Sequence, residues 1–266
     1  MEPLSPMTWT ELRELWRADL YRHTAETSWR HLLIHVFFSD GGERFNDGVK
    51  YMFHLRLCRY LKTQRPRWLV WPLYRVAMRI FTHYKYKFGC LIPHTTMIGA
   101  GLYLGHVRDI VINEQAVIGE NCNISQGVTI GQANRGRRRG TPVIGRNVYI
   151  GPGAKIVGAV RVGDDVAIGA NCVVTDDVPD HAVVVGIPGK VISFAGSAGY
   201  VNRTDYSGSH ETEPRRADRC LTDDMPHFGA TAVSAAVEKW PGSNSTEDRD
   251  VIQEARDRAG SPHSAR

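Results

Sequence analysis

Over residues 1–90 apolar positions recur at three- and four-residue spacing, the period of a helix that packs on one side. "TWTELRELWRADLYRHT" places Leu12, Leu15, Trp16 and Leu20 on one face and offers Thr10 or Thr8 as an N-cap. "DGVKYMFHLRLCRYLK" aligns Val49, Met52, Phe53, Leu57 and Tyr60 in the same way. "WPLYRVAMRIFTHY" aligns Leu73, Val76, Ala77, Ile80 and Phe81, with Pro72 near the start of its helix. These stripes predict a helical front domain whose apolar faces pack against one another.

From residue 91 to 192 the period becomes six. Branched apolar residues stand at Ile98 and Leu104, then at Ile112, Ile118, Ile124 and Ile130, then at Ile144, Ile150, Ile156, Val162, Ile168 and Val174. Glycine follows eight of these twelve, and a smaller apolar residue tends to follow four places on (Ala116, Cys122, Val128, Val148, Ala154, Val160, Val166, Cys172). A six-residue period gives one short strand and one turn per hexad, three hexads per triangular coil, and a stack of coils joined by parallel strands. The repeated apolar residue points inward, and the glycine is expected to supply the backbone freedom of the corner. Cys122 and Cys172 fall on inward slots and read as packing.

Residues 193–266 lose both rhythms. "TDYSGSHETEPRRADR" and "PGSNSTEDRD" are polar and punctuated by Pro and Gly, which predicts a disordered tail, with "GATAVSAAVEKW" (229–240) as a transient helix. The expected organisation is therefore α + β: a helical domain over 1–90, a β-helix over 91–192 and a mostly disordered tail over 193–266.

Charge and cysteine usage refine this picture. Residues 1–90 hold 15 Lys and Arg against 8 Asp and Glu, whereas the chain as a whole is only +5. A basic front suits anionic ligands or an anionic surface. "RPRWLVWPLYRVAMR" adds Trp68, Trp71 and Tyr74 to its arginines, a composition suited to weak contact with an anionic bilayer, although core packing of the aromatics is the expected role. No apolar run is long enough to span a membrane, and the N-terminus lacks a leader pattern. The five cysteines are odd in number and form no CxxC pair, which points to free thiols, a cytoplasmic setting and no metal site. No nucleic-acid partner is expected.

The six-residue period breaks twice, and such breaks are where function is expected. Eight residues separate Leu104 from Ile112, so two extra follow His106. Fourteen separate Ile130 from Ile144, where the loop "GQANRGRRRGTPV" carries Arg135, Arg137, Arg138 and Arg139 and no acid.

"IGENCNISQGVTIG", "VYIGPGAKIVGAVRVGDDVAIGANCVV" and "VPDHAVVVGIPGKVI" resemble the left-handed β-helix acyltransferases, and most of all the serine O-acetyltransferase family, over residues 88–192. The resemblance implies an acetyl-CoA co-substrate, no metal, a homotrimer and no covalent acyl-enzyme. It also implies that His106 is the general base, since a near-neutral imidazole can take the proton of an attacking hydroxyl. Asp109 or Glu114 is then expected to orient it. Gly131, Pro152 and Ala170 fall where the family's backbone lines the CoA groove, with the Gly131 N–H facing the oxyanion. Lys190 and the loop arginines face the CoA phosphates, and Arg139 and Thr141 the acceptor.

The departures from that pattern bear on the acceptor. Where the family has the partner acid of its base, this chain has Leu91. The acid before the histidine is Gly105, and the loop's Asp-Arg-His-Pro reads Arg139, Gly140, Thr141, Pro142. Two lost charge-assisted hydrogen bonds would weaken serine by about two to four orders of magnitude. The expected acceptor is therefore a small-molecule or lipid-linked sugar of a surface polysaccharide, whose neutral hydroxyls Thr141, Asn134 and Gln132 can meet. Serine is the alternative. Outside this class stand a zinc-dependent carbonic anhydrase on the same helix, for which His94, His106 and His181 are the available ligands, and a non-catalytic assembly scaffold.

Overall fold

The computed structural model describes residues 6–37, 47–64 and 66–206. The predicted tail from 207 onward, including 229–240 and Cys220, lies outside the described residues. Four helices come first: α1 (Trp9–Thr24), α2 (Trp29–Phe37), α3 (Asp47–Thr63) and α4 (Arg67–Phe88). Thr8, rather than Thr10, caps α1. Its Oγ1 accepts from the Glu11 N–H at 3.2 Å and the Glu11 carboxylate accepts from the Thr8 N–H at 2.6 Å, a reciprocal capping box. Gly89 ends α4 in the left-handed conformation (φ 62°).

The apolar stripes of α1 and α3 pack inward, but not to full depth. Leu12, Trp16 and Leu20 meet Leu32, Val36 and Val49 in one cluster, against which Phe53, Leu57 and Tyr60 pack half-buried, and Leu15 is half-buried too. The stripe of α4 does not bury as a unit. Ala77 and Phe81 are in the core, but Leu73, Val76 and Ile80 are 58%, 56% and 41% exposed, and the expected packing of the tryptophans fails, with Trp68 78% and Trp71 59% exposed. A helix lying across one neighbour can bury only one side, and α4 is apolar on two.

The hexads form the predicted left-handed parallel β-helix, its strands numbered β1–β14 along the chain. One face stacks β1 (Met97–Ile98), β4 (Val117–Ile118), β7 (Val143–Ile144) and β10 (Arg161–Val162). The second stacks β2 (Tyr103–Leu104), β5 (Asn123–Ile124), β8 (Tyr149–Ile150), β11 (Ala167–Ile168) and β13 (Val183–Val185), closed by the antiparallel β14 (Lys190–Ser193). The third stacks β3 (Val111–Ile112), β6 (Thr129–Gly131), β9 (Lys155–Val157) and β12 (Val173–Val174). The repeated apolar residues fill the prism in register, Leu104 over Ile124 over Ile150 over Ile168.

The glycines of the hexads serve a purpose other than the expected one. A Cβ on Gly99 would lie 2.7 Å from the Glu120 nitrogen, and one on Gly151 2.8 Å from the Ile168 oxygen. Glycine is needed there because the next coil's backbone comes too close for a side chain. The left-handed corner residue falls three places after the repeated apolar; it is taken by Asn121, Asn147, Asp165 and Asn171, which tolerate positive φ, and by Gly101, Gly127 and Gly153.

The first coil would expose a row of unpaired backbone groups, and the helices supply side chains for them. The Arg56 guanidinium grips Asp19 (3.0 and 3.3 Å) and donates to the carbonyls of Ile98 (2.7 Å) and Gly99 (2.6 Å). Asp19 accepts from the Leu102 N–H (3.0 Å) and His23 Nε2 from the Leu104 N–H (3.1 Å). Arg22 donates to the Gly101 carbonyl (3.1 Å) and to the Asn123 side chain. At the far end residues 193–206, assigned to the tail by sequence, pack back instead: Tyr200 stacks on Tyr149 at 4.4 Å, and Ser197 Oγ donates to the Asn147 carbonyl at 2.6 Å. Among the described residues Cys58, Cys90, Cys122 and Cys172 are buried free thiols.

Three buried or half-buried histidines link the folded state to pH. Burial lowers the pKa of His23 and His54, and burial with Lys62 and Lys85 nearby pushes His94 down to about 4. In the unfolded chain each titrates near its ordinary value of about 6.5, so below that pH the unfolded state binds more protons than the folded one. Stability is expected to be full above about pH 6.5 and to fall as the pH drops towards 4. A urea midpoint that stayed flat across that window would refute this.

Candidate active site

The two breaks lie at two different corners of the prism. At the corner between β2 and β3, two extra residues make a bulge. Val107 turns inward and is buried, Asp109 takes the left-handed position (φ 54°), and the Arg108 N–H closes a tight turn on the His106 carbonyl at 2.9 Å. Anchoring Val107 leaves Gly105, His106, Arg108 and Asp109 exposed. Among the described residues no side chain bonds to the His106 ring.

A backbone ladder runs down this corner from the bulge. Gly127 N–H donates to the Arg108 carbonyl (3.0 Å), Gly153 N–H to Gln126 (2.9 Å) and Asn171 N–H to Pro152 (2.8 Å). Arg108, Gln126, Pro152 and Ala170 therefore stand one above another, which puts two of the predicted groove residues, Pro152 and Ala170, below His106. Lys190 opens β14 just past the last turn of the same corner and is exposed.

The remaining predicted residues gather at the other edge of the third face, the corner between β6 and β7. Gly131 ends β6, and the loop behind it is pinched by paired N–H···O bonds between Ala133 and Gly140, both 3.0 Å. Arg138 does not point to a ligand: it is held by Asp177 at 2.7 Å and Asp176 at 3.4 Å, and so anchors the loop. Arg139, Arg135 and Arg137 are exposed. Thr141 Oγ1 donates to the Gln115 carbonyl at 3.2 Å. Glu114 belongs to this edge too, one coil higher, and accepts from Thr95 Oγ1 at 2.6 Å. It is a bracing residue and does not orient His106 within the chain. Asp109 is next to His106 in sequence, but its carboxylate lies against Gly89, where a Cβ would come within 2.9 Å of Oδ1.

Between the two edges the outward positions of the third face include Thr129 and Lys155, whose ammonium donates to the Gly127 carbonyl and to Thr129 Oγ1 (3.1 Å). Sequence reasoning passed over Lys155 and Gln126. No local signal singles them out, since polar residues stand at outward places of many hexads, among them Asn113, Glu120 and Arg146. Among the described residues no three histidine, cysteine or carboxylate groups gather as a metal-binding set. His94 instead bonds to Tyr74 (3.1 Å), and His181 lies 4.0 Å from Asp165.

The family model described as "Bacterial transferase hexapeptide (six repeats)" matches residues 141–176. A serine acetyltransferase of Synechococcus elongatus is 36% identical over 149 residues, which cover 56% of this chain and 60% of that protein. Among solved structures, the serine acetyltransferase of Neisseria gonorrhoeae in complex with serine is 29% identical with a TM-score of 0.52, covering 70% of each chain. That of Brucella abortus in complex with coenzyme A is 26% identical with a TM-score of 0.53, covering 70% of this chain and 68% of its own. The chain thus spans about three-fifths of the length of the Synechococcus protein. Prism, breaks and likenesses together make this chain a left-handed β-helix protein of hexapeptide repeats, similar to the serine acetyltransferases.

Proposed function

We propose that the chain is an acetyl-CoA-dependent O-acetyltransferase, with His106 as general base and serine as acceptor. The observation that carries this reading is the bulge at Gly105–Asp109, which spends two extra residues to hold one exposed imidazole clear of the prism. An imidazole there takes the proton of the acceptor hydroxyl as its oxygen attacks the thioester carbonyl. The tetrahedral intermediate then expels the CoA sulfur, and the imidazolium returns the proton to it. The acetyl group moves directly between substrates, and the protein carries no acyl group.

The second edge bears on how the site is completed. Gly131, Arg139 and Thr141 sit across the third face from His106, so one prism does not bring them to it. A homotrimer, in which the loop edge of one copy meets the His106 edge of the next, would assemble both halves three times over. Gly131 N–H would then face the oxyanion, and Lys190 and the free loop arginines the CoA phosphates.

Serine replaces the sugar expected from sequence because the relatives and solved structures described above are named for serine. Charges for an amino acid are also present, though not where that pattern has them: Arg108 and Asp109 are both exposed on the bulge itself. One observation keeps a sugar as the second reading, namely the uncharged residues at Leu91, Gly105, Gly140 and Thr141. Release of free thiol from acetyl-CoA, with serine and with a panel of hexoses, separates the two. Serine is expected to drive release with a Michaelis constant in the millimolar range or below. Release with hexoses alone would transfer the assignment to a sugar, and none with any hydroxyl would leave a scaffold.

A further inference from the structure

We propose that the outward side of α4 is a docking surface for an anionic lipid bilayer. The exposed stripe Leu69, Leu73, Val76 and Ile80 is spaced by four, three and four residues, so these side chains line up along the solvent side of one helix. All four are more than two-fifths exposed, and so are Trp68 and Trp71, which lie off the stripe on other exposed sides of the same helix. A contiguous apolar strip of this kind marks an interaction surface, where scattered exposed residues would not.

The charge around the strip selects the partner. Arg75, Arg79 and Lys87 are exposed on the same helix as the strip, and α4 has no Asp or Glu along its length. Arg75 lies over the Trp71 ring at 5.5 Å. Along the same helix Arg75, Arg79, His83, Tyr86 and Lys87 line a hollow of about 730 Å³, large enough for a phosphate-bearing headgroup. Apolar strip, tryptophans and a cationic margin on one helix are the composition of a helix that lies in the plane of a bilayer surface, with its aromatics at headgroup level. A second copy seated on this face by two-fold symmetry would set arginine against arginine with no acid within the segment to offset them. Nucleic acid would match the charge but leave the strip in water. This docking is independent of the acceptor.

The full chain should be sedimented with vesicles of phosphatidylcholine alone and with vesicles of equal phosphatidylcholine and phosphatidylglycerol. It is expected to pellet with the anionic vesicles at low salt, to be released at high salt and to stay in solution with the neutral ones. Arg75→Gln with Arg79→Gln should weaken binding about thirtyfold, and Leu73→Gln with Val76→Gln should abolish it. All four side chains are exposed, so both double variants should keep the wild-type circular dichroism and thermal transition. Wild type that stays in solution, or variants that pellet as it does, would overturn the proposal. So would a fall in particle mass on Leu73→Gln with Val76→Gln, because the strip would then be covered by another copy of this chain.

Discussion

His106→Ala is expected to lower turnover by at least about 10²-fold while leaving CoA affinity and folding stability unchanged. The size follows from the chemistry: an aliphatic hydroxyl holds its proton far above neutral pH, and without a positioned base the attack on the thioester must wait for water to take it. The selectivity follows from the structure. His106 is exposed, its ring has no partner among the described residues, and the bulge is pinned by Val107, so removing the imidazole leaves the backbone ladder of that corner intact. Steady-state rates with calorimetric titration of CoA would check both halves. Turnover close to wild type would mean that the bulge is merely a wide corner, and the proposed mechanism would fall with it.

Arg56→Ala should produce the largest loss of stability of any single change at the junction of helices and prism, about 3–5 kcal/mol. The Arg56 side chain is wholly buried and its Asp19 partner nearly so, at 0% and 4% exposed. Truncation would leave that carboxylate and the carbonyls of Ile98 and Gly99 short of their donor in a place water does not reach. Arg56→Lys should also lose most of this, because a single ammonium cannot serve a carboxylate and two carbonyls in the fork geometry. Equilibrium unfolding in urea measures the change, and a loss below about 1 kcal/mol would show that the junction relaxes around the gap.

Much of this architecture was legible because the prism is a one-dimensional repeat. One hexad fixes where the next stands, so inward positions such as Ile118 and Cys122, and both interruptions, can be read without knowing any distant contact. A cap at Thr8 or Thr10 was legible for the same local reason, and the capping box with Glu11 decides for Thr8. What escaped were facts of long range. Asp19, Arg22 and His23 share the apolar side of α1 with Leu12 and Trp16, and charges on a buried face are a signal, but their partners lie 37 to 101 residues away. The hexad glycines were assigned the wrong reason because the crowding comes from the next coil. The stripe of α4 misled because a period of 3.6 marks an apolar side without saying whether another element covers it. Glu114 could be seen as a candidate, but only the fold puts it on the edge away from His106. The acceptor was argued from a few pattern positions, which left out the charges that the bulge itself carries at Arg108 and Asp109.

The closure of the first coil by Arg22, Arg56, Asp19 and His23 has a consequence for how copies of this chain can associate. A stack of parallel coils with a bare end is a template on which an identical stack could continue, giving a filament with no natural length. Here the backbone groups at the leading end are already occupied by side chains from the helices, and at the trailing end the last strand runs against the others. Growth along the axis is thereby blocked at the leading end and mismatched in direction at the trailing end. Side-by-side association at the flanks of the prism, as in the proposed homotrimer, meets no such block.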